Sequence, residues 1–428
     1  MNDSEVIYKE KGASLMSTFI NAVNCIIGAG ILSIPVTIHK TGVVGSLFLL
    51  LTSLCLSLFG CYFLTVAATY TQKDSLGEMA NILYGRVVSK LADITLIIYE
   101  IGVSTVYNII LYEQVLDLLE TWGGISAGWL WNNRWWITYI VAVFFSVPLV
   151  SINKMDKLKY VSFGAVACIV FFVCISVYLG IVQLREKPLE YHIWPISVSS
   201  VISSISVFST ALCFHAAIPR LYTELRYPKG SKFTSKVRKM LRIGIGAASF
   251  SCVLYYIVGF FAYMAFGESI AGNLLTNFQQ KGYWYLSIVK FAYACVVLLS
   301  TPLVVYPSIS TIDRWLFTGE RTLKRRFGEA FIWCTVAWAL AVTVPQLDVV
   351  FGLTGSTGGM LIIYVFPSLL YIAVVKRLSK RAPETVYSLV GPSWLFPFAH
   401  VLIVVVIVLG SISTYSRSEE RRVGKECR

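Results

Sequence analysis

The chain alternates between long apolar stretches and short polar connections. With about 20 consecutive apolar residues as the length that crosses a hydrocarbon core, eleven spans are predicted. They lie near residues 14–38, 43–70, 93–119, 135–151, 160–184, 197–219, 242–266, 283–310, 329–346, 350–375 and 394–415. Hydrocarbon offers the backbone no hydrogen-bond partner, so each span is expected to be a helix.

Two spans break the pattern. The first, STFINAVNCIIGAGILSIP from Ser17 to Pro35, carries Asn21, Asn24, Gly28, Ala29, Gly30 and Pro35 within one crossing. Glycine lowers helix stability and proline removes a backbone donor, so this helix is expected to open at its centre. Opened backbone is tolerated at membrane depth only beside protein or a water-filled cavity, and solute carriers use it to grip a small zwitterion and its coupling ion. The sixth, Ser197 to Pro219, is rich in serine and ends with His215 close to the proline. Irregular spans five apart point to two inverted repeats of five helices. The first repeat is read as 14–184 and the second as 197–375, with an eleventh helix at 394–415. This organisation rests on the interruptions alone, since no identity between the halves is visible. The tenth span opens FGLTGSTGG over 351–359, which reads as tight helix packing, with a hinge as the alternative.

Composition agrees with an all-α polytopic membrane protein. The chain is 56% hydrophobic and 14% charged with a mean hydropathy of +0.70, whereas soluble domains are about one quarter charged. The net charge of +13 does not imply nucleic acid, because the basic residues sort by membrane side. Twenty-five fall in the segments on the N-terminal side, against only Lys40, Arg134, Arg185, Lys187 and Lys281 opposite. The positive-inside rule then places the N-terminus in the cytosol.

Residues 1–13 are short, mixed in charge and without a cleavage site, so the first span is expected to be retained. Nine of the ten cysteines lie inside spans, which leaves the loops no disulfide framework. The tail 416–428 contradicts the topology with five positive charges on the predicted outside. It reads as cloning or sequencing read-through, with a disordered native terminus as the alternative.

Several residues carry candidate chemistry. The N-terminus of a half-helix beginning near Gly30 offers free N–H groups to a carboxylate, so Ile27, Gly28, Ala29, Gly30 and Ile31 are the candidate substrate site. Close helix packing through the glycines is the plainer alternative. Asn24 lies one turn earlier, and Ser300 and Thr301 stand in the eighth span just before Pro302. These neutral oxygens, together with unwound carbonyls, suit a weakly held sodium ion, while interhelical hydrogen bonding is the structural alternative. Ionisable groups at membrane depth are functional candidates. Glu100 and His215 are read as candidate proton-coupling groups, and Lys290 as a structural or snorkelling side chain.

Enzyme chemistry finds no support. Histidine occurs only at 39, 192, 215 and 400, with no metal-ligand spacing, phosphate loop or nucleophile motif. No cofactor is expected.

At these residues the chain resembles the amino acid/auxin permease family, including the sodium-coupled neutral amino acid transporters and the plant vacuolar amino acid transporters. The resemblance runs from about Ser14 to Tyr415. It is carried by Asn24, Gly28, Gly30, Ile31 and Leu32, then by CFHAAIPRLYTEL (Cys213–Leu225), LLSTPLVVYP (Leu298–Pro307) and FGLTGSTGGMLIIYVFPSLLYI. It implies a LeuT-like fold and secondary active transport of amino acids by alternating access. It further implies sodium at Asn24 and Ser300, although this chain has Ser where the family usually has Thr and relatives also run on protons. The substrate amino group is expected on carbonyls of the first and sixth spans, near Phe208, Ser209 and Thr210. The outer loops lack cysteines and sequons, the only sequon being Asn2-Asp3-Ser4. A vacuolar or lysosomal membrane is therefore an alternative to the plasma membrane. An amino-acid sensor with a transporter fold is the second functional reading; the short N-terminus argues against it, and no protein partner can be named.

Overall fold

The computed structural model describes residues 12–151, 155–186, 191–226, 233–281, 283–344, 346–379 and 390–426. The sequon at 2–4 and most of the N-terminal segment lie outside them, as do the side chains beyond Ser416.

Among the described residues, eight helices are long and apolar enough to cross a bilayer, and a bent pair makes a ninth span. That pair is α1 (Leu15–Ile26) and α2 (Gly30–Thr41), inclined by 52°. The second span is α3 (Val43–Thr71), followed by a short helix α4 (Leu76–Tyr84) and the third span α5 (Arg86–Thr121). The fourth comprises α6 (Ala127–Val141), a π turn and α7 (Val147–Val150); the fifth is α8 (Met155–Glu186).

The sixth span is split into α9 (Val198–Ala211) and α10 (Ile218–Glu224). The seventh and eighth are α11 (Phe233–Phe266) and α13 (Trp284–Leu316), joined through the short α12 (Leu274–Lys281). The ninth, α14 (Leu323–Thr343), has its hydropathy diluted by the basic residues of its first turns. The tenth runs from α15 (Leu347–Thr354) through two π turns into α16 (Phe366–Leu378), and α17 (Leu395–Glu426) is the eleventh. Nine expected spans are thus long apolar crossings, while the sixth and ninth are helical without meeting that length and hydropathy. In α17 the helix continues past Tyr415 to Glu426, where a disordered terminus was the native alternative.

The packing repeats with a shift of five spans. The first span packs on the seventh, as the sixth does on the second; the third packs on the ninth, as the eighth does on the fourth; the eighth packs on the fifth, as the third does on the tenth. Because five is odd, the second set enters the membrane from the opposite side, which makes the repeat an inverted one.

The broken first and sixth spans lie against each other at the centre. On the N-terminal side they are also tied through backbone. Ala13 N donates to Glu224 O at 2.9 Å and Arg226 N to Ala13 O at 3.0 Å, forming a short β-bridge. The glycines of the tenth span do serve close packing. A Cβ on Gly358 would lie 2.9 Å from that of Tyr99, and one on Gly355 would lie 2.8 Å from Ser206 O.

Candidate functional site

The ends of α1 and α2 follow from local chemistry. Ser14 caps α1, its hydroxyl accepting from Ser17 N at 3.1 Å. The helix stops at Ile27, whose ψ of 60° leaves the helical region, and Gly28 N turns back to Ile26 O at 2.9 Å. The N–H groups of Ala29, Gly30 and Ile31 then open α2 without a backbone acceptor among the described residues. Both glycines are needed for close approach. A Cβ on Gly30 would stand 3.0 Å from Cα and Cβ of Ala211, and one on Gly28 would fall on the Tyr107 hydroxyl.

Carbonyls freed by the unwinding are held by tyrosines. Tyr293 donates to Gly28 O at 2.7 Å. The Tyr255 hydroxyl lies 2.6 Å from Ile26 O and 2.8 Å from Ala211 O, so its single proton serves one carbonyl at a time and ties the two broken spans together. Sequence reasoning missed these tyrosines and Tyr107. The available signal was their position in mid-span, since a buried tyrosine hydroxyl requires a partner.

The sixth span unwinds later than expected. Leu212 N still reaches Phe208 O at 3.2 Å, and the helix resumes only at Ile218, with Pro219 in its first turn. Ser209 accepts from Tyr364 at 2.9 Å, and Thr210 turns its hydroxyl to Ser206 O at 2.8 Å. Phe208–Thr210 therefore lie in the last turn of α9 and the non-helical stretch is Leu212–Ala217, because the serines of α9 are compatible with helix while the proline fixes where α10 can begin.

Beside the breaks lies a cavity of about 60 Å³, walled by Gly28, Ala29 and Gly30, by Thr210, Cys213 and Ala217, and by Tyr99, Glu100, Tyr107 and Pro307, among others. It has room for roughly four waters. Ile27, Ile31, Phe208 and Ser209 do not line it.

Glu100 is the one carboxylate in this wall. Its Oε2 accepts from Ser308 N at 2.9 Å, next to Pro307 within α13. Its Oε1 is buried without a partner. His215 stands outside the wall, its Nε2 3.0 Å from Ser57 O, while Ser57 Oγ donates to Leu212 O at 3.2 Å. That reciprocal contact fastens the sixth-span break to α3.

Asn24 and Ser300 are brought together, Ser300 donating to Asn24 Oδ1 at 2.9 Å, and Asn24 Nδ2 donates to Ser162 at 3.3 Å. Asn24 therefore links the first, fifth and eighth spans. Thr301 does not join them, since its hydroxyl returns to Val297 O at 2.8 Å. Lys290 does not snorkel; it is buried in an ion pair with Asp117 of α5. No cluster of three or more acidic, histidine or cysteine ligands occurs among the described residues.

The profile of the family described as "Transmembrane amino acid transporter protein" matches residues 11–414. The chain belongs to this family. Its relatives are transporters rather than enzymes. "Amino acid transporter AVT6E" of Arabidopsis thaliana is 26% identical over 96% of this chain and 85% of its own length. "Vacuolar amino acid transporter 5" of Schizosaccharomyces pombe is 24% identical over 84% of each chain. A manganese transporter of Eremococcus coleocola shares the fold with a TM-score of 0.60 at 13% identity, over 94% of this chain and 87% of that one. The LeuT-like arrangement of five plus five helices and an eleventh is thereby the fold of this family member.

Proposed function

We propose that this chain carries amino acids by alternating access, driven by a proton that binds Glu100. The observation that carries the coupling is the Glu100 Oε1 atom, buried, unpartnered and in the wall of the cavity between the two breaks. A carboxylate there can take a proton when the cavity is wetted and neutralise the charge before moving. The substrate carboxylate rests on the N–H groups of Ala29, Gly30 and Ile31, where the dipole of α2 favours an anion. Its amino group faces the unwound stretch Leu212–Ala217.

Alternating access is supported by how the far side is closed. Above the break, Phe172 packs with tilted rings against Tyr293 and Phe278, at centroid distances of 5.0 and 5.8 Å. The Asp117–Lys290 pair lies one helical turn further out. The name of the Schizosaccharomyces pombe relative supports a vacuolar membrane, and the charge distribution supports a cytosolic N-terminus.

Sodium is the second reading, favoured by the Asn24–Ser300 contact. Against it, the carbonyl of Gly28 already accepts from Tyr293, and that of Ile26 shares the Tyr255 proton with Ala211 O. Uptake of labelled amino acids into proteoliposomes under imposed proton and sodium gradients decides between them. If neither gradient drives uptake of any amino acid, both couplings fail.

A further inference from the structure

At the end of the first span opposite the N-terminus, residues 191–196 cross the corner between α2 and α3 as a strap. Val43 N donates to His192 O at 2.9 Å, Val44 N to Ile193 O at 3.0 Å and Ile196 N to Lys40 O at 3.1 Å. The strap thus supplies acceptors to the opening N–H groups of α3, which no carbonyl of that helix can reach. Gly42, at φ 72°, admits it, since a Cβ there would lie 2.5 Å from Ile193 O.

Backbone contacts carry this attachment. Tyr191, Ile193, Trp194 and Ile196 are all exposed, and the strap is held on its other side by the Tyr263 hydroxyl, which accepts from His192 N at 3.1 Å. A segment with so few buried apolar contacts opens at low cost.

Two histidines meet at this corner. His39, in the last turn of α2, and His192 have ring centroids 6.0 Å apart, and His39 also packs 5.4 Å from the ring of Tyr263. The charged groups acting on His39 are Lys40 of the same turn and Glu268 beyond the end of α11. Of the other elements packed on α2, α9 and the first turns of α3 carry no ionisable residue. Asp348 of α15 stands against Gly272, and Lys281 of α12 lies over Phe266. With both histidines protonated, one carboxylate therefore faces three positive charges.

We propose that His39 and His192 form an acid-released latch on the outer half of the first span. Histidine gains its charge between pH 8 and 5. While both rings are neutral they pack together and the strap stays bonded to α2 and α3. Glu268 offsets one imidazolium, but a second adds to Lys40, and like charges this close drive the strap away. The closed strap is thus favoured above the histidine range and lost as pH falls through it. Because α2 begins at Gly30 in the central break, freeing its outer end frees that half-helix to move. The latch does not depend on which ion drives uptake.

The test is hydrogen–deuterium exchange of the full chain in nanodiscs at about pH 7.5 and about pH 5.5, on either side of the histidine range, with labelling times scaled for intrinsic exchange. Peptides carrying the Val43, Val44 and Ile196 amides are expected to exchange about tenfold faster in acid, the factor of one pK unit. Peptides from the middle of α11 serve as the control and should exchange alike at both. His39→Gln and His192→Gln cannot gain charge, so each should keep the strap protected in acid. His192→Lys carries the charge throughout and should leave it unprotected at both. Protection in the wild type that ignores pH would overturn the proposal, as would the same acid loss in the glutamine variants. His192 is exposed, so His192→Gln remains diagnostic where His39→Gln fails to assemble.

Discussion

Tyr293 of the eighth span donates its hydroxyl to the carbonyl of Gly28, at 2.7 Å, in the unwound centre of the first span. Gly28 could not offer that carbonyl from a continuous helix, so the break and the tyrosine belong to one feature. Both residues are buried. Tyr293→Phe keeps the ring and removes only the proton, leaving the carbonyl unpaired at a cost of about 1–3 kcal/mol. Thermal unfolding in detergent should fall accordingly. Uptake should fall more than that loss explains, because the bond holds the backbone on which the substrate is proposed to rest. Unchanged uptake would show that Tyr293 is only a packing residue.

Gly28 and Tyr107 make a second testable pair. A Cβ on Gly28 would fall on the Tyr107 hydroxyl and lie 3.0 Å from Tyr107 Cζ. Gly28→Ala should therefore abolish uptake, and Gly28→Ala with Tyr107→Phe should restore part of it, since the nearest clashing atom is gone while Cζ remains. A double-mutant cycle of transport rates measures the coupling. Additive losses would mean that Gly28 is required for backbone freedom alone.

The proposed proton coupling rests on Glu100. Glu100→Gln keeps an acceptor for Ser308 N and removes the titratable group, so exchange of labelled for unlabelled amino acid should persist while uptake driven by a proton gradient is lost. Proton-driven accumulation by the glutamine variant would sink the assignment. For sodium, Asn24→Ala and Ser300→Ala are the corresponding variants. They should destabilise the link between the first and eighth spans, worth about 0.6–2 kcal/mol in a membrane, without conferring or removing sodium dependence.

The breaker pattern of the first span was legible because glycine and proline state their backbone consequences locally. The pairing of Asn24 with Ser300 was reached through resemblance, and the structure brings the two within hydrogen-bond distance. The position of the sixth-span break was not legible. Hydroxyl side chains within α9 return to helical carbonyls, as those of Ser206 and Thr210 do, so a polar composition did not mark unwinding. The tyrosine clamps were hidden for a different reason. Tyr255 and Tyr293 act on spans far from them in sequence, and only packing shows which hydroxyl meets which carbonyl.

Lys290 shows how burial decides between the two readings its sequence position allowed, a structural partner and a snorkelling side chain. A lysine near the end of a span ordinarily extends its ammonium to the interface, but here it is 4% exposed and paired with Asp117 at 6%. Removing one partner of such a pair strands the other charge, at about 3–5 kcal/mol, whereas replacing both with apolar residues of similar size is often neutral. Lys290→Met alone should therefore lower expression and thermal stability sharply, and Lys290→Met with Asp117→Leu should recover them. Transport separates a purely structural pair from one that closes the far side of the cavity. If the pair must open on every cycle, the double variant regains stability yet shows an altered maximal uptake rate. A double variant with wild-type stability and wild-type uptake would make the pair structural only.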